Sequence, residues 1–159
     1  MRGALALAVA AIVLAIAPIA RGDPSGDLSE ALAADADAVA AREAMARKAW
    51  DVAAKHLSLA LVRHPDDADL HSDLGFASRK LGDLDRAFVH YRRALAIDPR
   101  HRGAHEYIGE AYLMMNDLPN AEKHLAALRG ICLLPCEELV DLDKAVAEYR
   151  ERQKRVAKP

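Results

Sequence analysis

Aromatic residues are scarce in this chain: one Trp, two Phe and four Tyr make up 4% of 159 residues, although 52% are apolar. Sheet cores draw on aromatic and β-branched side chains, so a composition short of aromatics and rich in alanine points to closely packed helices. Charge of one sign is also lacking, with 22 basic residues against 24 acidic ones. The one basic cluster is the tail, Arg150, Arg152, Lys154, Arg155 and Lys158, and such a run suits the C-terminal end of a helix. No basic stripe is interleaved with aromatics, so nucleic acid is not an expected partner. Catalytic signatures are missing as well: there is no Gly-x-Ser-x-Gly, no phosphate-binding glycine loop and no His-Glu-x-x-His. Neither enzymatic activity nor a cofactor is expected.

Long apolar runs are confined to the N-terminus, where Gly3 to Ala17 is unbroken, Arg2 precedes it and Pro18 follows. This reads as a signal peptide over residues 1–22, cleaved after Gly22 or after Ala20, with one domain in 23–159. An uncleaved anchor is the alternative, since Gly3 to Ala20 approaches the length of a membrane span. Without Arg2 and Arg21 the mature chain holds 20 basic and 24 acidic residues, a net charge of 20 − 24 = −4. The expected location is the periplasm of a Gram-negative bacterium or the exterior, with no membrane contact after cleavage.

The remainder repeats itself. Shifted by 34 residues, Leu74, Gly75, Ala77, Asp83, Leu84 and Ala87 fall on Ile108, Gly109, Ala111, Asp117, Leu118 and Ala121. The same shift places Ala53, Leu57, Ala60 and Pro65 on Ala87, Tyr91, Ala94 and Pro99. Three units result, about 34–67, 68–101 and 102–133. Within the middle unit Leu70, Leu74, Ala77 and Leu81, then Leu84, Ala87, Phe88, Tyr91, Ala94 and Leu95, recur every three or four residues, so each half is an amphipathic helix. Gly75, Ala87 and Ala94 let the two helices approach closely. Gly82 reverses the chain, Asp83 caps the second helix, and Pro99 ends it. One such hairpin cannot bury its apolar face alone; stacked hairpins share a core, and a terminal helix must cap it. Leu139, Leu142, Val146 and Tyr149 supply that stripe over about 136–152, behind Glu137 and Glu138. At the other end, Leu28 to Arg47 reads as one long helix.

The segment LGFASRKLGDLDRAFVHYRRALAIDP, with its Leu74-Gly75 pair, Gly82-Asp83 turn, Ala87, Tyr91, Ala94 and Pro99, resembles the tetratricopeptide-repeat (TPR) family, whose period is also 34. The third unit keeps most of the pattern, and the first only its second helix and Pro65. The resemblance implies an all-α, right-handed α-solenoid that binds a protein or peptide on a concave face lined by the first helix of each unit. Its groove positions fall on Asp69, Ser72, Phe76, Arg79 and Lys80, on Glu106, Glu110, Leu113 and Met114, and more weakly on Arg42 and Met45. Phe76 and Met114 offer apolar contact, while Arg79 and Lys80 suit a carboxylate. The lysine and asparagine set of the clamps that grip acidic chaperone tails is replaced by Arg42, Phe76 and Glu110. Two other occupations of these surfaces stay open: self-association into an envelope structure, and Phe76 packing beneath the 28–47 helix.

Two chemical constellations remain. Cys132 and Cys136 are expected to form a structural disulfide in a secreted chain, with Pro135 breaking the helix between them; reduced core thiols and a copper or redox pair are the alternatives. His56, His90 and His124 recur every 34 residues along the second helices. Neighbouring helices lie about 8–10 Å apart, too far for one coordination shell. His101 and His105 are the best local pair, yet surface or capping roles are expected and no metal site is assigned.

Overall fold

The computed structural model describes Leu32 and residues 35–156. The signal-peptide reading, most of the N-terminal part of the 28–47 helix, and Lys158 lie outside the described residues. Among the described residues seven α-helices follow one another: α1 (Ala36–Ala46), α2 (Trp50–Arg63), α3 (Ala68–Lys80), α4 (Leu84–Ile97), α5 (Arg102–Met114), α6 (Leu118–Ile131) and α7 (Glu137–Val156). The first six form three hairpins, α1/α2, α3/α4 and α5/α6, each packed on the next, and α7 closes the stack against α5 and α6. Among the described residues there is no strand, and no helix is long and apolar enough to cross a membrane.

Local chemistry sets these limits. Asp35, Asp67, Asp83 and Asp117 each accept a backbone N–H of the helix they precede, and His101 does the same for α5 through Nδ1. Such caps satisfy donors that a helix start leaves unpaired. The turn inside each hairpin uses a left-handed residue at one repeat position: Lys48 with φ 57°, Gly82 with φ 84° and Asn116 with φ 59°. Only glycine adopts this conformation without a Cβ penalty.

Close approach explains the paired glycines. A Cβ on Gly75 would stand 2.6 Å from the Tyr91 ring, and one on Gly109 would stand 2.7 Å from a Leu142 methyl. Gly75 thus seats α4 on α3, while Gly109 seats the cap α7 on α5. Leu142, Val146 and Tyr149 of the cap are buried with Leu113, Leu125 and Leu128. The cap extends beyond the expected end near Arg152 to Val156, where Lys154 and Arg155 complement the negative end of the helix dipole.

Candidate functional site

The face shared by α1, α3, α5 and α7 carries the residues expected to meet a partner, and the fold treats them unequally. Asp69, Lys80 and Met114 are exposed, Phe76, Glu106 and Glu110 are half-buried, and Ser72, Arg79 and Leu113 are buried. Two of these assignments are corrected. Ser72 is 2% exposed: α3 is flanked by α2, α4 and α5, and so short a side chain does not reach past them. Leu113 lies in the core beneath α7.

Arg79 also differs from expectation. It is 7% exposed; its Nη2 lies 2.6 Å from Glu110 Oε2, out of line for a hydrogen bond, and its Nε donates to the Tyr91 hydroxyl at 3.3 Å. The guanidinium stacks over Phe76 at 5.2 Å and lies 5.9 Å from the Tyr107 ring centre. So buried an arginine organises the floor of the groove, its charge offset by Glu110. Lys80 remains available, with Nζ 5.0 Å from the Phe76 ring centre.

Phe76 packs against aromatic side chains of α2 and α5. Its ring meets Trp50 of α2 edge-on at 5.5 Å and Tyr107 of α5 at 4.7 Å. Sequence reasoning missed both partners. Trp50 occupies the repeat position held by Leu84 and Leu118, and Tyr107 the one held by Asp73; a large ring where sister units carry something smaller was the available signal.

Carboxylates rim this aromatic row. Burial pushes Glu106 up to about 7, reinforced by Glu110, Asp141 and Glu138 and only partly offset by Arg79. Burial likewise raises Asp73 to about 6, with Asp69 and Asp67 adding and His101 and Arg42 opposing. Asp69 is held below its usual range by a 2.9 Å hydrogen bond from His101 Nε2. For His101, burial works against the cation but the Asp69 carboxylate outweighs it. Between α3, α5 and α7 opens a cavity of about 220 Å³, walled by Leu113, Met114, Ala145 and the side chains of Arg79, Glu110, Glu148 and Arg152.

The histidines are paired within units. His71 Nδ1 lies 3.0 Å from His90 Nδ1, and His105 Nδ1 lies 3.0 Å from His124 Nδ1. The other nitrogens of His71 and His105 face the carbonyls of Pro65 and Pro99 at 3.0 and 3.1 Å. A carbonyl only accepts, so Nε2 carries the proton in both rings, and Nδ1 accepts from the neighbouring imidazole. Burial, then the partner ring, then Arg86 or Lys123 push His90 and His124 down to about 4. In the first unit Asp37 takes the place of the first histidine and lies 2.8 Å from His56 Nδ1. His101 and His105 therefore do not form a pair. Among the described residues no group of three or more potential ligands is placed to hold a metal.

Cys132 and Cys136 are joined, with Cα atoms 6.0 Å apart, between the end of α6 and the start of α7. Joined sulfurs offer no thiolate for copper. The bridge presents Leu133 and Leu134 at 98% and 80% exposure.

Residues 78–131 match the family described as tetratricopeptide repeat. Among solved structures, the TPR2B domain of yeast Sti1 in its pHsp70 complex superposes with a TM-score of 0.67 at 19% identity, over 73% of this chain and 94% of that one. PcrH in complex with the chaperone binding region of PopD gives 0.63 at 20% identity, over 82% and 94%. The Sgt2 TPR domain from Aspergillus fumigatus gives 0.61 at 24% identity, over 86% of each chain. A search of curated proteins finds no match.

Proposed function

We propose that this chain, whose residues 78–131 match the tetratricopeptide repeat, is a non-catalytic scaffold whose groove holds a cationic, partly apolar segment of a partner protein. One observation carries the charge of that segment: Glu106 stands beside the Phe76–Tyr107 row facing Glu110, Asp141 and Glu138 against Arg79, which Glu110 already pairs, and Asp73 is half-buried on the same row. A Lys or Arg entering the groove relieves that repulsion and finds aromatic faces for its stem. The expectation that Arg79 and Lys80 greet a carboxylate gives way to this reading. Similarity to TPR structures solved with pHsp70 and with a region of PopD supports a peptide or protein ligand in general terms.

The chain's only tryptophan reports on the site, since Trp50 touches Phe76. Short peptides of graded net charge, each with one aromatic or aliphatic anchor, are titrated against the purified protein while Trp50 emission is followed. Cationic peptides are expected to bind with an affinity that falls as salt is raised. Preference for acidic peptides, or indifference to charge, would overturn the reading.

We also place the protein in the periplasm. The N-terminal apolar run and a disulfide that persists in oxidising compartments support this. Mass spectrometry of the protein from fractionated cells tests it: a mature N-terminus near Asp23 in the periplasmic fraction is expected, and an intact Met1 in the cytosol would contradict it.

A further inference from the structure

The third hairpin turns at Met114 and Met115, which are 53% and 55% exposed. The same repeat positions hold Lys80 and Leu81 in the second unit and Ala46 and Arg47 in the first, so the paired thioethers belong to this unit alone. Met45, the other methionine among the described residues, is half-buried against the core of the first two units. Met114 walls the cavity of about 220 Å³ between α3, α5 and α7. The rest of that wall is Leu113, which is buried, Ala145, and two oppositely charged pairs, Arg79 with Glu110 at 2.6 Å and Arg152 with Glu148 at 4.0 Å. An apolar anchor entering the cavity therefore meets one large accessible apolar side chain, and it is a thioether.

An exposed thioether is open to two-electron oxidants, whereas one packed in a core is shielded. Its sulfur lone pair attacks an oxygen of hydrogen peroxide, the O–O bond breaks, an S–O bond forms and water leaves. The sulfur is oxidised to the sulfoxide and the peroxide is reduced, with no cofactor and no catalytic base required of the protein. A flexible apolar side chain becomes a polar one that accepts hydrogen bonds. At an exposed position the new oxygen is hydrated without disturbing the fold, but an apolar anchor would have to strip that water without replacing its hydrogen bonds. We propose that Met114 is an oxidation site through which peroxide weakens the groove's hold on the apolar part of its ligand, with Met115 oxidised beside it. This rests on the cationic, partly apolar reading of the ligand and adds a regulation of its site.

The purified protein is exposed to a limited dose of hydrogen peroxide, and oxygen uptake at each methionine is read by peptide mass spectrometry. Met114 and Met115 are expected to gain one oxygen each well before Met45 does. Binding is then followed by the anisotropy of a labelled, methionine-free peptide that carries lysines and one leucine anchor. Oxidation is expected to weaken binding several-fold while the melting curve stays in place, and the same peptide without its leucine is expected to bind both forms alike. Met114→Leu should abolish the response to peroxide, and Met115→Leu should keep it. Met114→Gln, which puts a polar group at the site, should weaken binding of the anchored peptide with no oxidant present. Oxidation of Met45 as fast as Met114, an unchanged affinity once Met114 is oxidised, or a Met114→Leu protein that still responds would each overturn the proposal. A peptide that binds both forms equally removes only the regulation; one that binds neither removes the groove reading and the regulation with it.

Discussion

The paired imidazoles make a definite statement about protons. His90 and His124 have folded pKa values near 4 against an ordinary 6.5, so the unfolded chain binds more protons between those limits. The stability they contribute is fully present above about pH 6.5 and is lost as pH falls towards 4. Glu106 and Asp73 act with the opposite sign. Their folded pKa values are raised to about 7 and about 6, so their ionised forms are penalised in the fold and protonation relieves it as pH drops. We therefore expect Glu106→Gln to stabilise the protein by roughly 1–3 kcal/mol at pH 8, after allowing for solvent screening, and by much less at pH 5; urea unfolding at the two pH values measures this. Nitrogen-detected NMR should also find His71 and His105 as Nε2–H tautomers, with His90 and His124 still neutral near pH 5.5. An Nδ1–H tautomer for His71 would contradict the pairing.

At the scale of single elements, the hairpin turns and the close helix contacts make the sharpest predictions. Gly75→Ala places a methyl against the Tyr91 ring, which is itself fully buried, and should cost about 1–3 kcal/mol. Lys48 takes a left-handed φ at the position where the middle unit has Gly82. Lys48→Gly should stabilise by about 0.5–1 kcal/mol, read as a rise in melting temperature. These elements were readable in the sequence because they obey the 34-residue shift: the Gly82 turn, the Asp83 cap, Gly75 and Pro99 each perform the role their spacing implies. The groove was only partly readable, because spacing says which helix face a residue occupies but not how far its neighbours cover it. Ser72 lies one turn before Phe76, and Leu113 falls at the repeat position of Arg79, yet one is hemmed in by helices on three sides and the other is roofed by the cap. Trp50 and Tyr107 were missed for a related reason, since their contact with Phe76 joins three helices and has no counterpart in a sister unit.

For the whole molecule, the cap and the groove are linked through α7. One face of that helix buries Leu142, Val146 and Tyr149, while Ala145, Glu148 and Arg152 line the groove cavity. The bridge at its base closes a loop with a sequence separation of 4, and loop-closure entropy for so short a ring gives at most about 2 kcal/mol. Reduction should accordingly lower the denaturation midpoint modestly without unfolding the protein, as followed by circular dichroism with and without a dithiol.

The central claim is that the carboxylate-rimmed aromatic groove receives a cationic segment. It is tested most directly by titrating wild type and Glu106→Lys with the same Lys-containing peptide at pH 8 and pH 5.5, using Trp50 emission. The account expects binding to wild type that weakens several-fold at the lower pH, as Glu106 and Asp73 take up protons, and binding to Glu106→Lys that is at least tenfold weaker. Equal affinity for both proteins at both pH values would contradict it.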